Sequence, residues 1–348
     1  MAFRLLFSVL LDQNYVSKVW GQMTNPRLSR INKMSVPDVT LNNGVRCPSF
    51  GLGTWLAAPG EVKETVKTSI DVGYRLFDCA WLYGNEKEIG EGLRAKIQDK
   101  TVKREDLFVV TKLWNIFHEE EKVVPACKES LKNFGLDYVD LYLIHWPCAT
   151  KNKDFNIQLP FKDSENIEYD FCKTWKGMEE CVRLGLAKSI GLSNFNSKQV
   201  QRILDVCTIK PVMNQIEVTP FLNQKKLIHF CKSRGIEIMA YSPLGSPARP
   251  WAKPGDIMLS LQDPRLIAIG EKYKKSSAQV VLRYVYQQGT IPIPKSSNVN
   301  RLKQNIDIFD FKLTDKEMAV IDEFNCNIRV CHAEELKDNP EYPFTLEE

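Results

Sequence analysis

The sequence lacks the short motifs that identify several large enzyme classes. Gly51-Leu-Gly53 is not completed to a Gly-x-Gly-x-x-Gly fingerprint, and the chain contains neither a Gly-x-x-x-x-Gly-Lys phosphate loop nor a Gly-x-Ser-x-Gly turn. These absences remove the main sequence support for a Rossmann dehydrogenase, a nucleoside triphosphatase and an α/β-hydrolase.

Cysteine and histidine occur, but not in arrangements typical of metal sites or disulfide frameworks. The ten cysteines are scattered singly without a Cys-x-x-Cys pair, and the four histidines do not cluster with them. We therefore expect no bound metal, and reduced thiols in the cytosol are the simpler interpretation.

Long apolar runs are also missing. No run approaches the about 18–20 residues that span a bilayer, so we expect no membrane association. Residues 5–11 are apolar, but Asp12 follows them and no clear cleavage site does. A mitochondrial transit peptide and a disordered extension stay open as alternatives for this acid-poor start. We predict an extension over residues 1–34 and one domain over residues 35–348.

The composition itself is ordinary for a globular protein. The 348 residues are 43% hydrophobic and 26% charged, with a formal net charge of +4. The excess positive charge lies at the start of the chain, in Arg4, Lys18, Arg27, Arg30 and Lys33 against Asp12. No basic stripe with interleaved aromatic residues occurs, so we expect no nucleic-acid partner.

Apolar runs alternate with amphipathic segments of helix length. Eight runs predict strands, at residues 50–55, 75–79, 108–113, 140–145, 189–192, 212–217, 237–241 and 291–294. Predicted helices lie at residues 62–71, 85–98, 120–134, 172–184, 197–205, 224–233 and 276–288. Apolar strands separated by helices indicate parallel β/α units. Eight such units favour an α/β protein with a closed (β/α)8 TIM barrel.

Two further elements flank the barrel. Asn-Asn-Gly at 42–44 predicts a β-hairpin over residues 39–48, which would cap the barrel bottom. Thr314 and Glu317 form a capping-box pattern at the start of a helix predicted over residues 314–324. The tail over residues 325–348 has no periodicity.

Ionisable residues stand at three consecutive strand ends. Asp78 ends the second strand with Tyr83 shortly after it, Lys112 ends the third, and His145 ends the fourth. In a barrel the C-terminal ends of the strands share one mouth, so these side chains would converge there. Taken singly, each is also explained by packing or by a structural ion pair. A buried lysine needs a partner, and Asp78 would supply it.

Such a set suits the reduction of a carbonyl group. Hydride addition builds negative charge on the oxygen, which needs a proton, and Tyr83 can donate one. Because the pKa of an unperturbed tyrosine is about 10, we expect the Lys112 ammonium to lower it. Asp78 would hold Lys112 charged, and a neutral His145 would hydrogen-bond the carbonyl oxygen.

Longer motifs run through the same strands. They are Gly-Leu-Gly-Thr-Trp at 51–55, Arg-Leu-Phe-Asp-Cys-Ala at 75–80 with Tyr-Gly-Asn-Glu at 83–86, residues 136–147, Ser-Ile-Gly-Leu-Ser-Asn-Phe at 189–195 and Ile-Pro-Lys-Ser at 293–296. On these motifs, residues 39–344 resemble aldo-keto reductases of the aldose reductase and aldehyde reductase branch. The resemblance implies a monomeric, NADPH-dependent reductase of aldehydes and ketones, with Tyr83 as general acid aided by Lys112 and Asp78.

The resemblance also implies how NADPH is held without a Rossmann fingerprint. The implied cofactor-binding residues are Thr54, Trp55, Asp78, Ser193, Asn194, Gln215, Tyr241, Ser242, Leu244, Ser246, Lys295, Ser296, Arg301, Gln304 and Asn305. Two cations and a hydroxyl at Lys295, Arg301 and Ser296 suit the dianionic 2′-phosphate. Composition alone would make residues 295–303 a solvated basic loop.

The implied substrate pocket is aromatic. Its residues are Trp55, Leu82, Trp114, His145, Trp146, Trp251 and Cys331. Aromatic walls suit an apolar carbonyl compound, although large aromatic residues also fill cores. We expect oxidation of Cys331 to alter activity. In this family the tail decides substrate preference, and residues 327–344 diverge most, so the physiological substrate stays unnamed.

Some positions depart from the family pattern. Leu56 and Ala248 stand where the cofactor loop of aldose reductase uses an ion pair, which predicts easier cofactor release. Trp81 and Leu82 replace smaller or polar residues, and we expect their bulk to narrow the pocket.

The sequence disfavours three other functions. A non-catalytic barrel, such as a channel β-subunit or a lens crystallin, is disfavoured by the four intact catalytic positions. A steroid double-bond reductase would carry glutamate at the position of His145. A metal-dependent hydrolase would need several histidines and carboxylates to converge, and His145 is the only histidine at a predicted strand end.

Overall fold

The computed structural model describes residues 36–152, 164–256 and 259–345. The predicted extension over residues 1–34 lies outside the described residues. The described chain begins with an antiparallel hairpin of β1 (Asp38–Thr40) and β2 (Arg46–Pro48), as expected. Its Leu41 and Cys47 pack against Leu76, Phe108 and Leu141, which start successive barrel strands. The hairpin therefore covers the N-terminal ends of the strands.

Eight parallel strands form the central sheet. They are β3 (Gly51–Gly53), β4 (Leu76–Asp78), β5 (Phe108–Leu113), β6 (Leu141–Ile144), β9 (Ile190–Ser193), β10 (Met213–Glu217), β11 (Glu237–Tyr241) and β12 (Ile291–Pro292). A second hairpin, of β7 (Thr150–Asn152) and β8 (Ser164–Asn166), interrupts the alternation and was not predicted. Each neighbouring pair in the sheet is parallel, because a helix or a longer crossover returns the chain to the same end.

The first strand meets the segment after the last strand and closes the barrel. The amide of Gly53 donates to the carbonyl of Pro294 at 3.2 Å, and Gly53 bridges Lys295 in parallel. A Cβ atom on Gly53 would lie 2.8 Å from the carbonyl oxygen of Ile293, so this approach requires glycine. The predicted TIM barrel is confirmed.

Ten helices are described around the sheet. They are α1 (Val62–Val72), α2 (Glu86–Gln98), α3 (Glu120–Phe134), α4 (Phe171–Arg183), α5 (Ser197–Val206), α6 (Lys225–Lys232), α7 (Pro264–Tyr273), α8 (Ser277–Gln287), α9 (Val299–Ile306) and α10 (Asp315–Asp322). No helix in the described part of the chain is both long and apolar enough to cross a membrane.

The strands lack polar alternation because both of their faces are covered. All six residues of β5 are buried. Phe108 and Val110 face the inner cluster of the barrel, whereas Val109 and Leu113 join the larger cluster between strands and helices. A strand with two apolar faces is the expected product of a continuous apolar run in a parallel sheet.

All eight predicted helices are present, with bounds close to those expected. The capping box at α10 is confirmed, since the Thr314 hydroxyl accepts from the Glu317 amide. Two helices were missed. Helix α7 begins with a proline, Pro264, and the side chain of Asp263 caps it. Helix α9 occupies part of the segment described above as a solvated basic loop, and Asn298 caps it.

Candidate active site

Three neighbouring strands deliver the candidate catalytic side chains to one end of the barrel. Asp78 is the last residue of β4, Lys112 lies near the end of β5, and His145 directly follows β6. Tyr83 lies in a short 3-10 helix, Trp81–Tyr83, just after β4. Because these strands are adjacent and parallel, their C-terminal ends bring the four residues together.

Lys112 is fully buried and directs its ammonium group into this cluster. Its Nζ donates to both carboxylate oxygens of Asp78, at 2.7 and 2.9 Å, and to the backbone oxygen of Cys79 at 2.9 Å. A longer contact of 3.3 Å joins Nζ to the hydroxyl of Tyr83. The carboxylate at contact distance is what makes an ammonium group tolerable in this buried position.

Tyr83 is held in its protonated form. Burial and the nearby Asp78 carboxylate raise the pKa of Tyr83 well above its usual value. The expected net lowering of this pKa by Lys112 is wrong, because burial of the phenol, followed by the Asp78 charge, outweighs the ammonium 3.3 Å away. Tyr83 therefore gives up its proton only to a base stronger than its own phenolate.

His145 is neutral. Burial, and after it the Lys112 ammonium, lower the pKa of His145 well below its usual value. Its Nδ1 is buried and has no hydrogen-bond partner among the described residues, which leaves Nε2 as the nitrogen that can serve a ligand. The imidazole meets the Tyr83 ring edge-on, with centroids 5.9 Å apart.

These side chains open into a cavity of about 730 Å³. Most residues predicted to bind cofactor or substrate line it: Trp55, Asp78, Leu82, Tyr83, His145, Trp146, Ser193, Asn194, Gln215, Tyr241, Ser242, Leu244, Ser246, Trp251, Lys295, Arg301, Gln304, Asn305 and Cys331. Its size and its mixture of apolar walls with a few polar groups are typical of small-molecule sites.

Four of the predicted site residues lie outside the cavity lining. Lys112 lies behind Tyr83, and the Thr54 hydroxyl donates to the Asp78 carbonyl at 2.8 Å. Trp114 is fully buried and packs edge-on against His145, with centroids 5.3 Å apart. Ser296 is buried beside α9, where its hydroxyl oxygen accepts from the Asn298 amide. These residues support the wall from outside.

Polar side chains on one wall are linked to the candidate catalytic residues. The Asn194 amide donates to the carbonyl of His145 at 2.9 Å and accepts from the Tyr241 hydroxyl at 2.8 Å. The Gln215 amide donates to Asp78 Oδ1 at 2.7 Å. The predicted cofactor wall and the predicted catalytic cluster therefore form one hydrogen-bonded unit.

A second wall carries two cations. Lys295 and Arg301 both line the cavity and are exposed. Within the described ranges, no carboxylate lies within 4.0 Å of either, in contrast to many other lysines and arginines of this chain. Two cations without carboxylate partners beside a cavity suit an anionic ligand.

Several lining residues were not predicted. The tail contributes His332, Ala333 and Glu335, and the start of α8 contributes Ser276 and Ala278. The tail has no periodicity that would place it at the barrel mouth. Ser276 did carry a signal, because it begins a capping box with the glutamine three residues later.

Of Trp81 and Leu82, which differ from the family pattern, only one lines the cavity. Leu82 lines the cavity, as expected. Trp81 does not: its indole donates to Glu129 at 2.9 Å, and its ring packs edge-on against Phe117. The expectation that Trp81 narrows the pocket is wrong, because the 3-10 turn points it toward α3.

Leu56 and Ala248, which stand where aldose reductase uses an ion pair, both line the cavity. An aromatic pair connects the same two segments: the rings of Trp55 and Trp251 lie 5.4 Å apart at an interplanar angle of 35°. Among the described residues, no group of three histidine, cysteine or carboxylate side chains is placed to hold a metal ion.

The fold and the position of the cavity define a class of protein: an α/β barrel with its site at the C-terminal ends of the strands. The model of the "Aldo/keto reductase family" matches residues 49–326 of this chain. The chain belongs to the aldo/keto reductase family.

Named relatives agree with this assignment. The chain is 46% identical to aldo-keto reductase family 1 member A1-A of Danio rerio, over 88% of this chain and 98% of the relative. It is 48% identical to family 1 member A1 of Gallus gallus, over 84% of this chain and 89% of the relative.

Two solved structures of similar fold contain the cofactor by their descriptions. The aldo-keto reductase AKR2E4 of Bombyx mori, in complex with NADP, has a TM-score of 0.83 and 45% identity, covering 89% of this chain and 99% of that one. The aldo-keto reductase AKR2E5, complexed with NADPH, has a TM-score of 0.83 and 37% identity, covering 90% and 95%.

Proposed function

We propose that this protein reduces aldehydes and ketones to alcohols with NADPH, and that Tyr83 is its general acid. The observation that carries the proposal is the cluster at the barrel mouth. A protonated Tyr83 lies 3.3 Å from a fully buried Lys112 that is paired with Asp78, and its ring meets that of a neutral His145 edge-on. The similar structures that contain NADP or NADPH support the choice of cofactor.

The residues of the cavity fit NADPH. Tyr241 offers an aromatic face, and Ser193, Asn194 and Gln215 offer amide and hydroxyl groups that suit a carboxamide. Lys295 and Arg301, which have no carboxylate partners in the described ranges, suit the extra phosphate that distinguishes NADPH from NADH. When bound, the cofactor would supply the hydride.

The protein's part of the reaction is the handling of the proton. Reduction of the carbonyl group would leave an alkoxide oxygen, which is a stronger base than phenolate. Only then can it take the proton from Tyr83, whose raised pKa prevents earlier loss. The resulting tyrosinate would lie beside the Lys112 ammonium, which favours the anion. A proton from solvent then restores the phenol.

The other two residues position these groups. His145, neutral because of its lowered pKa, would donate from Nε2 to the carbonyl oxygen and hold it near Tyr83. Asp78 would fix Lys112 through two short hydrogen bonds. Trp55, Leu82, Trp146 and Trp251 would form an apolar pocket, so we propose carbonyl compounds with an apolar body as substrates.

We further propose that residues 35–348 act as one domain, in a monomeric cytosolic protein. The absence of any disulfide among the ten cysteines, all of which lie in the described ranges, supports a reducing compartment.

The test is a spectrophotometric assay of NADPH oxidation with a panel of aldehydes, with NADH in parallel. Tyr83→Phe removes the proton donor, so we expect its rate to fall by roughly 10²–10⁴-fold. Tyr286→Phe is the matched control, because its ring packs against Phe309 on the outer side of the barrel and lines no part of the cavity. Its rate should equal that of the wild type.

Aldehyde-dependent oxidation that prefers NADPH and is lost in Tyr83→Phe would establish the reductase. Binding of NADPH without turnover of any aldehyde would refute it and would favour a binding role for the barrel.

A further inference from the structure

A buried glutamate outside the cavity is not used by the proposed chemistry. Glu217 is the last residue of β10, two positions after Gln215, and its side chain is fully buried. Burial of a carboxylate is costly unless hydrogen bonds compensate it. Glu217 should therefore have a compensating task.

The carboxylate of Glu217 holds the backbone of the C-terminal tail. Its Oε1 accepts from the amide of Val330 at 2.9 Å, and its Oε2 accepts from the amide of Cys331 at 2.8 Å. The two carboxylate oxygens thus accept from successive backbone amides of a tail segment that forms no strand. Cys331 lines the cavity, as do His332 and Ala333 directly after it.

The same tail peptide is anchored from the opposite side. The carbonyl of Val330 accepts from the indole nitrogen of Trp251 at 2.7 Å. Trp251 in turn packs on Trp55, at the other rim of the cavity. Glu217 and Trp251 therefore clamp Val330 between the barrel strand and the loop that follows β11.

We propose that Glu217 is a positioning residue that sets the size of the substrate pocket by holding the tail at Val330 and Cys331. This inference rests on the proposed reductase function. The tail supplies one wall of the cavity through Cys331 and Ala333. If Glu217 releases the tail, that wall moves, while Tyr83, Lys112 and His145 keep their positions, because they lie in or directly after other elements of the barrel.

Glu217→Gln tests the proposal with little change in size. A glutamine has one acceptor oxygen, and its NH₂ group would face the second backbone amide, so at least one hydrogen bond is lost. A hydrogen bond to a charged acceptor is worth about 10- to 100-fold in an equilibrium constant. We expect a rise of that size in the amide hydrogen exchange of Val330 and Cys331.

The kinetic readout uses two aldehydes that differ only by a phenyl ring, propanal and 3-phenylpropanal. The KM of Glu217→Gln for 3-phenylpropanal should rise by about 10- to 100-fold, the same range as above. Its kcat for both aldehydes, and its KM for propanal, should stay within about threefold of the wild type, because propanal needs no tail wall.

Glu179→Gln is the matched control. Glu179 is also buried, and its Oε1 accepts from two successive backbone amides, those of Thr208 and Ile209, away from the cavity. Exchange should accelerate at Thr208 and Ile209 only, and neither KM should change.

Equal loss with both aldehydes, or unchanged exchange at Val330 and Cys331, would overturn the positioning role. If the wild type turns over neither aldehyde, the proposed function fails, and exchange alone still decides whether Glu217 holds the tail. Should Glu217→Gln fail to fold, Trp251→Phe removes the other anchor. Exchange at Cys331 should then rise, whereas Trp81→Phe, which loses an indole hydrogen bond to Glu129, should leave it unchanged.

Discussion

Replacing Lys112 by methionine should destabilise the protein as well as impair it. The change removes the ammonium group that lies 2.7 and 2.9 Å from the oxygens of Asp78, and Asp78 is only 3% exposed. Among the described residues, the remaining side-chain donor to this carboxylate is Gln215, at 2.7 Å. Lys112→Met therefore leaves a buried carboxylate without a countercharge.

The size of the effect follows from that environment. Removing one partner of a buried ion pair costs about 3–5 kcal/mol. With an unfolding entropy of about 2.1 cal/mol/K per residue and 348 residues, Tm should fall by about 4–7 °C. In the exposed pair of Lys63 and Glu91, by contrast, Lys63→Met should leave Tm almost unchanged, because solvent screens the pair.

A double variant separates the charge effect from simple loss of packing. Asp78→Asn removes the stranded charge with almost no change in shape. Lys112→Met combined with Asp78→Asn should therefore be more stable than Lys112→Met alone, with a coupling of about 2–3 kcal/mol. Urea unfolding followed by circular dichroism measures all four proteins. If the two single changes in the free energy of unfolding add to within about 0.5 kcal/mol, the reasoning is refuted, because additivity is expected of residues that do not interact.

Three further predictions concern pH, thiol reactivity and cofactor release. Burial lowers the pKa of His118 to about 4, so the unfolded state binds its proton first as the pH falls. The stabilisation of the folded state by a neutral His118 is therefore present above about pH 6.5 and is lost as the pH falls toward 4. Between pH 7 and pH 5, the free energy of unfolding of the wild type should fall by about 2 kcal/mol more than that of His118→Gln. Burial and the Glu217 carboxylate raise the pKa of Cys331, so iodoacetamide should label it at least about 10-fold more slowly than the exposed Cys326. Introducing the missing ion pair by Leu56→Lys with Ala248→Asp should slow NADP release and lower turnover, as measured by stopped-flow fluorescence.

Each of these three predictions, and the earlier expectation for oxidation of Cys331, has a clear contrary result. Parallel stability curves for the wild type and His118→Gln would show that this histidine titrates alike in both states. Peptide mass spectrometry that finds Cys331 labelled as fast as Cys326 would exclude a suppressed thiolate. If peroxide inactivates the enzyme and Cys331→Ala does not change that sensitivity, the expected role of its oxidation is wrong. Unchanged release in the paired variant would show that the missing ion pair does not govern cofactor release.

Much of the framework was readable in the sequence. Continuous apolar runs such as residues 108–113 predict parallel strands, because in this fold both faces of a strand are covered. Chain order then brings the ends of β4, β5 and β6 to one mouth, which is why the sequence alone predicts that Asp78, Lys112 and His145 converge. Local caps such as Thr314 mark helix starts in the sequence, because the group that each cap binds lies within one turn of it.

What only the tertiary structure decided depends on contacts between residues far apart in the chain. The pKa of Tyr83 follows from its burial and from Asp78, and sequence reasoning about Lys112 alone predicted the opposite direction. Glu217 accepts from the backbone amide of Val330, which lies 113 positions further along the chain. The tail has no periodicity that predicts where it packs, and only the family resemblance placed its Cys331 at the pocket. Its place is set by long-range hydrogen bonds, whose energies exist only once the barrel has brought the partners together.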